Sequence, residues 1–475
     1  MSSDTEVTAP DAAHLLRRVG YGGSAQEIRG LTGKTRRECV DIVLGFSEGD
    51  VVPEGPDVGQ PEWVLNTDEF TNVADEMILW WIDRMSTLPN PIKAPSFCPS
   101  RADHLPIYER LAFFWHDHFA CDIVEVGDKV AMWDQIRMFR RLAMANFDSL
   151  TRETAVHPAM LVMLDNRSNK VETPQENFSR ELMELYTCGI GHFSESDVVA
   201  MTRAWTGHLT NVSNGDDPKE YSDFAQMKET YIYEPEAHDH GRKYLFGINA
   251  NWNGIAQNPS ERDAIKELVL GAKRNATSLR LAELICKYFC NPDPSSEFVE
   301  DVSSAFSDSG MEISALVRAV LLHDEFWSLE SRWVLVKDPV DYVVSILKHT
   351  GLSGHEISLD WTRLESMGMV PFHPPSVAGW GSGTDWLATS SMAARGKIAH
   401  ELHWRETVEK DLENLMDLSV DEAVERILDF YGMQEVSGGT RQVLSDWFRR
   451  ARHKPWWATS QARTLGVLVP EFQVR

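Results

Sequence analysis

The sequence predicts an all-α fold: a large, helical bundle-like single domain with irregular loops and at most one small β-hairpin. Three observations support this prediction. Apolar residues recur at i, i+3, i+4 and i+7 along most of the chain, which is the spacing of amphipathic helices. Strand-like alternation of apolar and polar residues is scarce. The chain is 475 residues long with 43% hydrophobic residues, so it can bury a large core.

Helix start signals and turn residues place the elements along the chain. Ser194 is a good N-cap for one helix, with Asp197 at its third position, and Thr277 precedes another. Strand-like patterns occur only at 229–233 and 243–247, which predicts one small hairpin. Residues 1–410 are expected to form the main helical domain, and 411–475 a C-terminal helical extension of two or three helices packed on it. The predicted helices are 73–85, 107–121, 129–145, 175–187, 195–205, 261–270, 278–289, 296–306, 313–322, 340–350 and 391–409.

Composition restricts the partners and the compartment. The chain has 46 Lys and Arg against 72 Asp and Glu, a net charge of −26, which argues against nucleic acid or an anionic membrane as a partner. The N-terminus has no basic region followed by an apolar run, and no window is apolar enough to span a bilayer. The six cysteines are scattered, without a disulfide framework or a zinc-type pair. We therefore expect a soluble, cytoplasmic protein.

The most informative stretch is residues 174–191 (PQENFSRELMELYTCGIG), which we call the 174–191 segment. On a helix with 3.6 residues per turn, Glu176, Arg180 and Glu184 follow each other at i, i+4 and i+8 and share one face. Glu181 lies beside them, and apolar residues take the other side. Such a helix can hold acids toward a cavity, a metal or a partner helix. The alternative is a solvated face tied by ion pairs between these residues.

Two histidine pairs could supply imidazoles to this acidic segment. His116 and His118 are close to the end of an aromatic helix, and both could face one metal only if the helix ends there, because residues two apart point in divergent directions. His238 and His240 are in a loop or near a strand end, where alternating positions can present both rings on one side. The alternative for each pair is a hydrogen-bonded structural role. Glu109 shares the helix face of His116 and is its expected companion.

Together these side chains predict a mixed carboxylate and imidazole site for a divalent metal, Fe or Mn ahead of Zn or Cu. Dinuclear sites in helical bundles use Glu-x-x-His pairs. This chain has a Glu-x-x-Glu pair instead, so a mononuclear site is at least as well supported. The alternatives are that Arg180 neutralises the acids and that Lys243 pairs with an acid at a structural turn. The predicted metal ligands are His116, His118, Glu176, Glu184 and His238, and the predicted catalytic residues are Glu181, Arg180, Asp239 and Lys243.

Several blocks of sequence carry a resemblance to a known family. They are residues 14–22 (HLLRRVGYG), 109–119 (ERLAFFWHDHF), 163–166 (MLDN), 176–185 (ENFSRELMEL), 192–198 (HFSESDV), 238–243 (HDHGRK) and 374–380 (PPSVAGW). In this order they resemble DUF1800, a bacterial family of unknown function, from about residue 12 to residue 400. Many relatives look exported, with a twin-arginine type leader, so this chain resembles a cytoplasmic member. Relatives also occur beside a family that resembles sulfatases, which implies a protein partner.

Three function classes follow from the predicted site. The first is a metal-dependent enzyme for oxidative tailoring of a small molecule or peptide, with its cavity between the His116 helix and the 174–191 segment and closed by the His238 loop and the 374–380 loop. The second is a metal-dependent hydrolase, with metal-bound water and a glutamate base. The third is a non-enzymatic helical binding or scaffold protein. The chain has no phosphate-binding glycine loop and no serine or cysteine nucleophile motif, which disfavours nucleotide chemistry and serine hydrolysis.

Overall fold

The computed structural model describes residues 4–59, 70–87, 105–212, 229–404, 412 and 415–475. The described part is mainly helical with a few short two-stranded sheets, so the all-α prediction is confirmed. The helices of the first half are α1 Ala9–Gly20, α2 Ala25–Leu31, α3 Arg36–Leu44, α4 Phe70–Thr87, α5 Pro106–His118, α6 Ile123–Val126, α7 Lys129–Arg141, α8 Phe147–Ala155, α9 Pro158–Met163, α10 Asn177–Glu181 and α11 Glu195–Ala204. The others are α12 Ala264–Val269, α13 Arg274–Phe289, α14 Ser296–Asp308, α15 Ile313–Leu322, α16 Pro339–Thr350, α17 Trp361–Met367, α18 Thr389–Glu401, α19 Val420–Phe430, α20 Gly438–Ala451 and α21 Pro455–Gly466.

Reciprocal caps fix the start of several helices. The Ser194 hydroxyl accepts the Asp197 backbone N–H, while the Asp197 carboxylate accepts the Ser194 N–H at 2.9 Å. The same box forms before α1, α2, α3 and α19. Each box satisfies two of the backbone donors that a helix start leaves unpaired, and it stabilises the helix by about 1 kcal/mol. The boundary predicted from Ser194 is therefore the observed one.

Helix α5 lies in the core and carries a buried carboxylate. Glu109 is 1% exposed, and its oxygens accept from Arg140 at 2.7 and 2.8 Å and from Arg84 at 2.5 Å. The expectation that Glu109 is the companion of His116 is therefore wrong. The two arginines, which come from α7 and α4, neutralise the carboxylate, and a buried charge requires such pairing.

Strands form at both predicted places, but each pairs with a strand that the sequence did not predict. Strand β2 (Glu229–Tyr233) pairs antiparallel with β1 (His208–Val212), and β3 (Lys243–Leu245) pairs with β4 (Ile248–Ala250). Two further residue pairs, β5 (Trp252–Asn253) and β6 (Arg262–Asp263), lie parallel. The predicted hairpin between 229–233 and 243–247 is wrong: a 3-10 turn at Pro235–Ala237 follows β2, which pairs with β1, while β3 pairs with β4.

The end of the chain returns to the main body after the tail helices α19 to α21. The Arg475 guanidinium lies 2.6 Å from the Asp341 carboxylate, which also accepts from Arg110 at 2.7 Å. The Phe472 ring packs edge-on against Tyr342. The division into 1–410 and 411–475 stays a prediction. None of the described helices is both long and apolar enough to cross a membrane.

Candidate functional site

The 174–191 segment begins as α10 and continues as a π-helix at Leu182–Tyr186. The wider turn is closed by the Thr187 hydroxyl, which donates to the Leu182 carbonyl at 2.6 Å, and by the Gly189 N–H, which donates to Met183 at 2.8 Å. Single π-turns inside α-helices are uncommon and are frequent at functional sites. Because the turn changes the repeat, residues after 181 leave the face on which the i, i+4, i+8 pattern would place them.

Arg180 consequently forms ion pairs with other carboxylates instead of Glu184. Its guanidinium forms two hydrogen bonds with Glu195, at 2.9 and 2.8 Å, and lies 3.6 Å from Glu176. Glu195 is 77% and Glu176 59% exposed, so both pairs lie at the surface. The stronger one joins Arg180 to Glu195, the first residue of α11. The predicted Glu176–Arg180–Glu184 row forms only in its first half.

Glu181 and Glu184 are half-buried carboxylates. Neither has an ion pair with another described residue. Burial raises the pKa of Glu181, and the nearby Glu184 carboxylate raises it further, while Arg180 lowers it. These two acids therefore keep carboxylate oxygens that no described cation pairs with.

His116 is a core residue surrounded by the rings of Trp81, Phe113, Phe372 and Trp380. Its Nε2 accepts the Phe372 backbone N–H at 2.9 Å, so in the neutral ring the proton is on Nδ1. Nδ1 has no hydrogen-bond partner among the described residues. Burial lowers the pKa of His116 to about 3, so the ring is uncharged at neutral pH.

His118 and Asp117 form hydrogen bonds that connect the end of α5 to the π-turn and to the 374–380 loop. His118 Nε2 donates to the Tyr186 carbonyl of the π-turn at 3.0 Å, and burial lowers its pKa to about 4. An Asp117 oxygen accepts the Trp380 backbone N–H at 2.8 Å. Burial raises the pKa of this carboxyl to about 7, since no cation of the described chain pairs with it. A Cβ added at Gly379 would meet that carboxylate oxygen at 2.2 Å, so only glycine fits there.

The His238 loop is held by its own polar groups. His238 Nδ1 donates to the Thr206 carbonyl at 2.7 Å, which leaves an unprotonated Nε2 that is buried and has no partner in the described part. Asp239 is paired with Arg203 at 2.6 Å. His240 donates to the Pro235 carbonyl at 2.9 Å.

Lys243 is buried in the same loop and serves its backbone. The ammonium donates to the carbonyls of Gly241 at 3.1 Å and Trp252 at 2.9 Å, and to that of Asp239. Burial lowers its pKa to about 8. Asp239 and Lys243, both predicted as catalytic, are thus engaged in holding the loop.

The predicted ligands do not assemble into one metal centre. Throughout the described ranges, no three His, Cys, Asp or Glu side chains are grouped so that they could hold a metal ion. The Nε2 atoms of His116 and His118 are used by backbone groups, and Glu176 is at the surface. Within the described part, Glu184 keeps a carboxylate without an ion pair, and His238 keeps a buried Nε2 without a hydrogen-bond partner. The residues as placed do not fit a shared metal site.

The 174–191 segment ends in an open groove along α13. Two adjoining clefts of about 270 and 320 Å³ share Leu279 and Glu283, and together we call them the α13 groove. One cleft is bounded by Glu184 and Ile190 of the segment and by His192 just after it, with Ala276 and Arg280 of α13 opposite. The other lies between α13 and the start of α14, and its lining includes Lys287, Asp293, Pro294, Val299 and Glu300.

Two apolar side chains in this groove are exposed to solvent. Ile190 is 75% and Leu279 43% exposed. The wall beside them is fixed, because the Arg280 guanidinium donates to the Leu185 carbonyl at 3.1 and 3.3 Å. Gly189, at φ +81°, lets the chain turn against Arg280, whose Cδ would lie 3.1 Å from an added Cβ.

Apart from Glu184, the predicted site included none of the residues of this groove. Ile190 had a usable signal, because an apolar residue between two glycines is placed on a turn with little cover. Leu279 and Arg280 had none, since only the fold brings α13 beside the 174–191 segment. Asp117 lay between two predicted ligands, and the burial that raises its pKa is not visible in the sequence.

Comparisons with known proteins give a family and no function. A family model described as "Protein of unknown function (DUF1800)" matches residues 14–474, which is nearly the whole chain. Among curated proteins and among solved structures, no match is found.

Proposed function

We propose that this chain, which belongs to the DUF1800 family, is a binding protein. The description of that family assigns no activity. The protein binds a segment of another polypeptide in the α13 groove, so it falls in the class of helical binding proteins. The observation that carries this proposal is the pair of exposed apolar side chains, Ile190 and Leu279, in one cleft. Apolar side chains grouped in a polar-rimmed groove are typical of interaction sites.

The energetics suit a reversible interaction. Full burial of a leucine or isoleucine side chain contributes about 1.5–3 kcal/mol, and these two are already partly covered. The groove wall is ordered before binding by the Arg280 hydrogen bonds and the π-turn, so little ordering cost remains on this side. Three of the four predicted catalytic residues, Arg180, Asp239 and Lys243, are engaged in structural contacts, which favours a binding role over a catalytic one.

Peptide display tests this function. A library of random peptides is selected on the wild-type chain, and the enriched peptides are titrated against wild type and Leu279→Asp. We expect the substitution to weaken binding at least tenfold, because it puts a charge against the buried apolar anchor of the peptide. Val443→Asp is the matched control, since Val443 is 64% exposed on tail helix α20. Equal binding of the peptides to wild type and to Leu279→Asp would contradict binding in the α13 groove.

A metal-dependent enzyme, oxidative with Fe or Mn or hydrolytic with Zn, is the second candidate. The observation in its favour is the buried, unpaired Nε2 of His238, together with the unpaired Glu184 carboxylate. Elemental analysis of protein purified without a metal-affinity tag tests it. This candidate expects one equivalent of metal that is lost in His238→Gln and kept in His240→Gln; metal-free protein in all three samples contradicts it.

We also propose a cytoplasmic location. The five described cysteines, Cys39, Cys121, Cys188, Cys286 and Cys290, are buried free thiols, which suits a reducing compartment. Cell fractionation with an antibody to the chain tests the location, and recovery with exported proteins contradicts it.

A further inference from the structure

Arg17, on α1, is a buried cation whose donors are not used by the rest of the described chain. The residue is 6% exposed, and its guanidinium has neither an ion pair nor a hydrogen bond with any described residue. Its Nε and Nη1 atoms are both enclosed without an acceptor. Arginine side chains are almost never buried in this way unless an acid or an anion pairs with them. Arg17 therefore keeps both charge and donors available for an anion.

The indole of Trp333 fixes the plane of this guanidinium. The Arg17 Cζ lies 3.6 Å from the centroid of the ring, so the cation lies against the aromatic face. This contact covers one face of the guanidinium and leaves its N–H donors, which point outward in the guanidinium plane. Trp333 is partly exposed and has φ +58°, a left-handed conformation that is rare for a bulky residue and is found at ligand sites.

The acids closest to Arg17 are paired with another arginine. The Glu435 oxygens accept from Arg332 at 2.9 and 3.0 Å, and Asp11 pairs with the same guanidinium. Burial lowers the pKa of Arg17 to about 9, while the Glu435 charge opposes this shift and Arg332 adds to it. Arg17 is therefore charged at neutral pH, and Glu435 offsets that charge only in part.

Lys337 brings a second buried cation to the same place. It is 4% exposed, and its ammonium lies 3.9 Å from the centroid of the Phe472 ring, without an ion pair in the described part. Burial lowers the pKa of Lys337 to about 7; Asp341 opposes this shift, and the charge of Arg17 adds to it. Asp341 is itself paired with two arginines. Arg18 also lacks an acid, since its guanidinium donates only to a backbone carbonyl.

The charges of this region consequently do not balance. Arg332 faces two carboxylates, and Asp341 faces two guanidinium groups, so these ion pairs nearly cancel. Burial and the Asp341 charge raise the pKa of Asp338, and this acid has no described ion pair. Arg17, Arg18 and Lys337 remain as a positive surplus in the core of a chain whose net charge is −26.

We infer that Arg17, Trp333 and Lys337, which we call the Arg17 site, bind the oxyanion group of a small ligand, either a phosphate or a carboxylate. The guanidinium donates to the oxygens while the indole holds it in place, and Lys337 adds positive charge. A guanidinium suits this task because its planar donors match the geometry of both groups. The ligand enters past Glu435, which is 40% exposed. The site is separate from the α13 groove and does not depend on the function proposed for that groove.

Equilibrium dialysis of the full chain against radiolabelled inorganic phosphate, and separately against radiolabelled acetate, tests this site. Both run at millimolar anion in a sodium chloride buffer. We expect wild type to bind one equivalent of at least one of the two anions, and Arg17→Met to bind it at least tenfold more weakly. Arg36→Met is the matched control and should bind like wild type. Arg36 also lies over an indole, 5.3 Å from the Trp327 centroid, but it has Asp324 as its partner.

A variant at the entrance gives a change in the opposite direction. Glu435→Gln removes a negative charge near the bound anion, so the affinity is expected to rise about two- to fivefold. Glu425→Gln is its control, because Glu425 is a surface residue of the same part of the chain and pairs with Arg441. The control should leave the affinity unchanged.

The outcomes decide the inference in each case. Binding of phosphate alone or of acetate alone supports it and identifies the group that the site accepts. Wild type that binds neither anion overturns it, as does equal affinity in wild type and in a folded Arg17→Met. If circular dichroism shows that Arg17→Met is unfolded, Glu435→Gln decides, and an affinity that is not higher than that of wild type overturns the inference.

Discussion

The buried end of α5 and the α13 groove both contact the same π-turn, but their side chains differ in exposure and pairing. At the end of α5, aromatic rings enclose His116, and His118 donates to the Tyr186 carbonyl. In the groove, Arg280 donates to the neighbouring Leu185 carbonyl, while Ile190 stays 75% exposed and Glu184 unpaired among described residues. The histidines that most resemble ligands are thus structural, and the unsatisfied surface lies on the other side of the turn.

The largest expected effect comes from the α5 core. Glu109→Gln leaves the buried Arg140 and the partly buried Arg84 without a carboxylate, so we expect the free energy of unfolding to fall by about 3–5 kcal/mol. Urea denaturation followed by circular dichroism measures it. Glu153→Gln is the matched control, because its partner Arg141 is at the surface, and it should cost at most about 1 kcal/mol. Similar losses in both variants would contradict the contrast between core and surface charges.

A pH series at Asp117 sharpens the same contrast. Burial raises the pKa of this carboxyl from 3.8 to about 7, so its favourable contribution is present below pH 3.8 and is lost as the pH rises through about 7. Asp117→Asn keeps an oxygen for the Trp380 N–H and removes the charge. We expect the variant to match wild type near pH 4 and to be more stable at pH 8, by up to about 4 kcal/mol. A stability difference that stays constant from pH 4 to pH 8 would contradict this assignment.

The smallest effect is expected at Arg180. Its ion pair with Glu195 is exposed, so Arg180→Ala should leave the midpoint of urea unfolding unchanged within error. If Arg180 were part of a buried charge network, as Glu109 is, Arg180→Ala would instead clearly lower the urea midpoint. Such a loss would return Arg180 to the buried charge network that the sequence allowed.

The sequence predicts the helices better than the site because the two depend on different distances along the chain. Periodicity places α15 at its observed residues, and the Ser194 box starts α11 correctly. Helix α1 was missed although the sequence carries its start signals, since Thr8 and Asp11 form a capping box and Pro10 lies in its first turn. The row Glu176–Arg180–Glu184 assumed 3.6 residues per turn, which the π-turn does not keep.

Partners distant in sequence account for the remaining differences. Glu109 shares a helix face with His116, but Arg140 of α7 and Arg84 of α4 take its carboxylate. Leu279 belongs to a groove only because α13 packs beside the 174–191 segment. No local pattern encodes either contact, so these roles become visible only in the folded chain.

Photocrosslinking of a bound peptide tests the central claim most directly. The highest-affinity display peptide carries a photoreactive leucine at its central apolar position, and the crosslinked chain is digested and mapped by mass spectrometry. Polypeptide binding in the α13 groove predicts crosslinks within residues 184–192 or 276–287, which excess unlabelled peptide abolishes. Competable crosslinks confined to other parts of the chain, such as α20, would contradict it.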